Sequence, residues 1–274
     1  MMKKKVIGLA LAGALALGAW SGASVAAPIT VGGITWDPAN GADLTVQAID
    51  FRESSVSAVG DTLTGYGRIG SINGEDQSVF CSGCSLNFTF QYTVSAIEGT
   101  ALNPKVVFDG GLINFYVDPT GSFDVANPSS AGVGTGPLWL SLTGHAAPFT
   151  GFSAVGDLYS NINGPISAPA SLSGGFGLLD VGGGAAGYWM DTNSRADGAD
   201  FDLSSAFSFM PYAQCSGVTG DPTDICHYPI VGTGTLTGKS LAVPEPGPIG
   251  MLGVGLGLMG LLLRRRSKES ELGA

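Results

Sequence analysis

Between Ser85 and Val94 apolar and polar residues alternate without interruption. Leu86, Phe88, Phe90, Tyr92 and Val94 interleave with Ser85, Asn87, Thr89, Gln91 and Thr93. A period of two puts the two sets on opposite faces of an extended chain, so the stretch predicts a strand with a buried aromatic face. Phe201, Leu203, Phe207 and Phe209 repeat the pattern with Ser205 interposed. Leu138, Leu140 and Leu142 alternate with Trp139, Ser141 and Thr143. Leu112–Val117 is apolar on both faces except at Asn114, which suits a central strand. Thr45–Phe51 begins in alternation and changes phase near Ala48-Ile49, which predicts a bulge.

Turn signals separate these runs: Asn40-Gly41, Asn73-Gly74, Asp109-Gly110, Asn163-Gly164-Pro165 and Asp197-Gly198. Asn-Gly and Asp-Gly supply the positive φ angles of tight hairpins. Short strands joined in this way predict an all-β fold, an antiparallel β-sandwich or jelly roll, in a single domain over residues 27–242. No amphipathic helix of convincing length interrupts it. The glycine-rich segment Gly174–Gly187 reads as a flexible loop.

Both ends of the chain follow a different pattern. Lys3, Lys4 and Lys5 precede the apolar run Val6–Trp20, and Ser24-Val25-Ala26 satisfies the small-x-small rule, so residues 1–26 read as a cleavable signal peptide. Near the other end stand Val243-Pro244-Glu245-Pro246, then Gly247-Pro248, the uncharged run Ile249–Leu263, and Arg264-Arg265-Arg266. The prolines block helix propagation upstream. The apolar run would make a helix of about 22 Å, short of the roughly 30 Å of bilayer hydrocarbon. The arginines behind it are placed to stay on the cytoplasmic side. The expectation is one C-terminal transmembrane helix within a tail at 243–274. A plain membrane anchor is the simpler reading of that helix.

The order of these parts resembles the PEP-CTERM sorting domain: a Pro-Glu-Pro motif, a short Gly/Leu-rich apolar helix and a terminal arginine cluster. That resemblance covers about the last thirty residues and implies a partner, exosortase, which would recognise Pro244, Glu245 and Pro246. Arg264, Arg265 and Arg266 would flank the membrane. It further implies export through the inner membrane as a single-pass precursor, transient residence there, and then delivery to the cell surface or extracellular matrix. The block Leu63–Gly67, Ile72-Asn73-Gly74 and Phe80–Cys84 with its following aromatic strand is similar to PEP-CTERM proteins of exopolysaccharide-producing proteobacteria, some of them linked with flocculation.

Charge narrows the partners. From residue 27 to 243 there are nineteen acidic and five basic side chains, a net charge of −14. Phosphate recognition needs clustered Lys and Arg, so this balance argues against nucleic acid and anionic lipid. It suits solubility outside the cell, or cation capture in an acidic polysaccharide matrix.

Four cysteines, Cys81, Cys84, Cys215 and Cys226, form an even set in a chain read as exported, which implies disulfides. Three connectivities are possible; closeness in sequence favours Cys81–Cys84 and Cys215–Cys226, each contributing on the order of 2–3 kcal/mol. Two chemical alternatives are a redox Cys-x-x-Cys and a zinc site drawing on the cysteines and His227. The first belongs at a helix N-terminus, whereas here the pair precedes a strand. The second lacks close spacing in its second pair.

His145 and His227 support no Ser-His-Asp or Cys-His set. The run Asp191–Asp202 has carboxylates suited to Ca²⁺, but Arg195 stands where an oxygen ligand belongs, and an acidic solvated loop is the plainer reading. Trp36, Trp139, Trp189 and Tyr188 are candidate sugar platforms or core. No metal or cofactor is implied and no catalytic residue stands out. The expected function is a non-enzymatic surface or matrix role in exopolysaccharide-associated biofilm or floc. The alternatives are a carbohydrate-binding or adhesion module and, third, a secreted hydrolase.

Overall fold

A computed structural model describes residues 27–242, Ala131 excepted, together with Leu256. The strands are β1 (Ile29–Val31), β2 (Ile34–Trp36), β3 (Thr45–Glu53), β4 (Thr62–Ile72), β5 (Glu75–Asp76), β6 (Ser85–Thr100), β7 (Asn103–Asp118), β8 (Leu138–His145), β9 (Leu158–Asn161), β10 (Ser173–Gly183), β11 (Phe201–Phe209) and β12 (Ile230–Thr237). Single helical turns, α1 (Gln77–Phe80) and α2 (Gly187–Met190), sit in the connections.

The alternation read in the sequence becomes wall geometry. Phe88, Phe90 and Tyr92 of β6 point into the molecule, and Gln91 and Thr93 face solvent. On β3, Val46 and Ala48 line the interior, the register shifts between Ala48 and Asp50, and Phe51 and Glu53 line it again, so the expected bulge is present. Each long strand pairs antiparallel with its neighbour in the order β3-β4-β6-β7-β8-β10-β11-β12. Then β12 pairs back onto β3, from Ile230 opposite Glu53 to Thr237 opposite Thr45. The sheet closes into an up-and-down barrel of eight staves.

The all-β expectation therefore holds, and the expected sandwich or jelly roll is corrected to a closed barrel. Local alternation fixes which face of each strand is buried. It does not say that the first stave meets the last, because that pairing joins opposite ends of the domain. The apolar face points inward, the reverse of a transmembrane barrel, whose apolar band faces lipid.

One stave is assembled from two pieces. β8 pairs with Leu112–Tyr116 of β7, and β9 pairs with Lys105–Phe108 of the same strand. β10 lies along both, through Leu178–Gly183 and Gly174–Gly177. The change of partner falls at Asp109-Gly110, where Gly110 has φ +66°. That dipeptide was expected to make a hairpin; it lies instead inside β7, at an interruption of the β6–β7 register. Residues 146–157 leave the wall between the pieces and fold onto its outside. Phe149 and Phe152 pack on Tyr159, with ring centroids 4.8 Å away in both cases. The Tyr159 hydroxyl accepts from Gly156 N and donates to Ala147 O. Lys105 Nζ donates to Gly151 O at 2.6 Å, and Glu98 accepts from the amides of Ser153 and Ala154.

Gly174–Gly187 is not a loop over most of its length: β10 runs through Ser173–Gly183 and is paired on both sides. The abundance of glycine has a packing cause. A Cβ at Gly67 would overlap Phe88 and the Phe51–Asp50 backbone side, and one at Gly232 would overlap the Phe51 ring. Large rings from β3 and β6 thus fill the volume left bare on β4 and β12.

The barrel ends differ. At one end the connections are β4–β6, β7–β8 and β10–β11, and the β1–β2 hairpin packs there: Trp139 Nε1 donates to Val31 O, and Trp36 and Trp139 meet edge to face at 5.9 Å. Leu44, Phe80 and Ile34 are buried in the same region. The other end carries the β3–β4, β6–β7, β9–β10 and β11–β12 connections. Both disulfides join the favoured pairs, Cys81–Cys84 between β4 and β6 and Cys215–Cys226 between β11 and β12. They staple opposite ends of the barrel, which removes the proposed zinc site and the redox pair in its reduced form.

Among the described residues no helix is long and apolar enough to cross a membrane. The expected signal peptide, Pro244, Glu245, Pro246, the apolar tail run apart from Leu256, and Arg264, Arg265 and Arg266 lie outside the described residues.

The ring-against-glycine packing makes a specific prediction. Gly67→Val should destabilise the barrel by about 1–3 kcal/mol or more through overpacking against Phe51 and Phe88. Gly217→Ala, where a Cβ meets nothing within 4 Å, should stay within about 0.5 kcal/mol of the parent. Urea unfolding midpoints of the two variants check this.

Candidate functional site

The site is the barrel interior. Closing eight staves leaves an inside just wide enough for packed side chains or one small ligand. Here the filling is incomplete: a cavity of about 100 Å³ remains, lined by six phenylalanines, Tyr92 and aliphatic side chains. Phe51 meets Phe90 edge to face at 6.0 Å, Phe88 lies 5.8 Å from Phe115, and Tyr92 lies 6.4 Å from Phe108. Ser54, Val56, Ile162, Ile166 and Pro169 bring the lining to the end of the barrel away from Trp139.

Into this apolar surface β3 delivers one carboxyl. Glu53 follows Phe51 by two residues, and past the bulge the period of two carries both inward. Glu53 is 6% exposed. No ion pair or side-chain hydrogen bond involves it among the described residues. Desolvation without compensation favours the neutral acid, and its pKa is pushed from 4.5 up to about 8. At neutral pH Glu53 is therefore a carboxylic acid with a proton to donate. Two serines of the lining already bond the wall. Ser54 Oγ accepts from Thr64 N at 3.0 Å, and Ser160 Oγ donates to Gly174 O at 3.1 Å. The Tyr92 hydroxyl is buried without a partner, and burial raises its pKa as well.

The residues singled out from the sequence do not converge here. Trp36 and Trp139 are core at the far end, 3% and 1% exposed. Tyr188 and Trp189 share α2, with rings 5.1 Å apart, and Tyr188 is 73% exposed. His145 Nδ1 lies 2.9 Å from both oxygens of Asp180, and His227 Nδ1 lies 2.8 Å from Thr219 O; neither stands beside a nucleophile arrangement. In the Asp191–Asp202 run, Asp200 accepts from the amides of Val181, Thr192 and Asn193, and Asp202 pairs with Arg195. These carboxylates hold the β10–β11 connection together. Among the described residues no group of three or more His, Cys, Asp or Glu is placed to hold a metal ion.

Glu53 escaped the sequence reading because the β3 pattern was followed only to Phe51. Extending the shifted phase by two residues would have placed a carboxylate inward, and that misfit is the signal. No protein-family model matches the chain, and no curated protein or solved structure matches it either.

The buried acid ties stability to pH. Below pH 4.5 Glu53 is protonated in both folded and unfolded chains and costs nothing. As pH rises toward 8 the unfolded chain ionises and the folded one does not, so stability falls. Glu53→Gln should lack that fall, match the parent at pH 4 and exceed it at pH 7 by on the order of 3 kcal/mol. Denaturant unfolding at both pH values checks this, and parallel pH profiles for the two proteins would contradict it.

Proposed function

We propose that the chain is an exported, non-enzymatic surface or matrix protein whose tail addresses it to exosortase, and that it serves in exopolysaccharide-associated biofilm or floc. The observation that carries this reading is the ordered tail: Pro244-Glu245-Pro246, the apolar run Ile249–Leu263 and Arg264-Arg265-Arg266. Two disulfides add support, since they form and persist in oxidising compartments. Closure of the sheet is a further support, because it leaves no long unpaired strand edge to aggregate in a crowded matrix. The acidic body fits solubility outside the cell.

A second reading, a carbohydrate-binding or adhesion module, is favoured by Tyr188. Its ring is exposed beside Trp189 on a one-turn helix fixed by the β10–β11 connection, as a stacking platform for a sugar ring requires.

Two measurements separate these proposals. Intact-mass analysis of protein recovered from the extracellular fraction should show loss of residues 1–26 and of the segment following the Pro-Glu-Pro motif; recovery with Arg264–Arg266 attached would remove the sorting proposal. In a pull-down with the host's own exopolysaccharide, Tyr188→Ala should reduce retention at least several-fold if the module binds sugar. Unchanged retention would leave the platform without a role.

A further inference from the structure

We infer that the barrel interior is a binding site for a small, uncharged, mostly apolar molecule carrying one oxygen acceptor, with the Glu53 carboxyl as its hydrogen-bond donor. The inference is independent of the sorting tail and rests on the cavity, its lining and the isolation of one acid within it.

Size sets the first limit. A cavity of about 150 Å³ with an apolar lining takes up benzene. By that scale the 100 Å³ here accommodates about four to five heavy atoms before side chains move. The lining sets the second. Six phenylalanines and several aliphatic side chains reward burial of hydrocarbon and offer no donor of their own.

Glu53 sets the third. It is the one carboxyl in the lining, and it is buried on a rigid strand paired to β4 and β12. Ser54 and Ser160 beside it already bond the wall, and the unpartnered Tyr92 hydroxyl is fully buried, which leaves the carboxyl to make a guest's polar contact. A buried polar group without a partner costs free energy, which a guest able to accept its proton in a hydrogen bond would recover. A ketone, ester or ether oxygen does that with no charge transferred. A cationic amine would instead require an ionised carboxylate and a desolvated ammonium together, two charges taken out of water. The guest is therefore a neutral acceptor.

The test uses the full chain, labelled at isoleucine methyls and titrated by NMR with three probes of similar size: 2-butanone, n-butylamine and n-pentane. Saturable shifts at Ile69, Ile113 and Ile230 are expected with 2-butanone. Glu53→Leu should weaken 2-butanone about tenfold, the value of one hydrogen bond, and leave pentane no weaker. Glu53→Gln, whose amide can still donate, should hold 2-butanone within about twofold. Should the leucine variant not fold, the parent decides: raising the pH from about 6 to about 9.5 ionises the acid and should weaken 2-butanone about tenfold, with no such change in Glu53→Gln. The inference is overturned by tighter binding of n-butylamine than of 2-butanone, by 2-butanone affinity indifferent to both Glu53→Leu and pH, or by absence of saturable shifts from 2-butanone.

Discussion

The fold depends on the hydrogen-bonded seam between β3 and β12, where the first long strand of the barrel meets the last. Without it the wall would be an open sheet with two exposed edges, and the inward face would have no opposite side to pack against. With it, every long strand has partners on both sides, and the apolar positions of eight staves face one another across a common axis. The seam also fixes where Glu53 sits. Its opposite residue on β12 is Ile230, and on β4 it is Gly65, so the acid is bracketed by backbone and hydrocarbon on both sides.

Given closure, the interior is a problem of volume. Phenylalanines on β3 and β6 are too large to meet equal neighbours across an eight-stave barrel, and glycines on β4 and β12 make room for them. The match is close where Phe51 lies against Gly232 and Phe88 against Gly67, yet a cavity remains among these rings and Glu53. A loop that leaves the wall between β8 and β9 is the one large irregularity, and it is pinned from outside by Lys105, Glu98 and the Tyr159 hydroxyl.

Much of this is legible in the residues alone. The alternation at Leu86–Val94 placed Phe88, Phe90 and Tyr92 inward, and the phase change at Ala48-Ile49 marked a bulge that is present. Cysteine spacing pointed to both disulfide pairs. Three features were not legible, each for a physical reason. Closure is a non-local pairing and leaves no local trace, so a sandwich was as consistent with the pattern as a barrel. Gly174–Gly187 looked like a loop because glycine in a strand has no side chain to show alternation. Asp109-Gly110 has hairpin chemistry, yet a change of strand partner uses the same positive φ for a bulge. The acid at Glu53 was visible in principle, as the next inward position after Phe51.

The body is thus a rigid, disulfide-stapled barrel with a polar exterior and an apolar inside that carries one isolated acid, and the tail read from the sequence proposes where that body is delivered. The ionisation of Glu53 tests the central claim of a closed apolar interior most directly. Its side-chain carbonyl carbon, followed by NMR as pH is raised, should titrate with a midpoint near 8. A midpoint near 4.5, the ordinary value for a solvated glutamate, would mean that water solvates the carboxyl and that the interior does not hold it in an apolar environment.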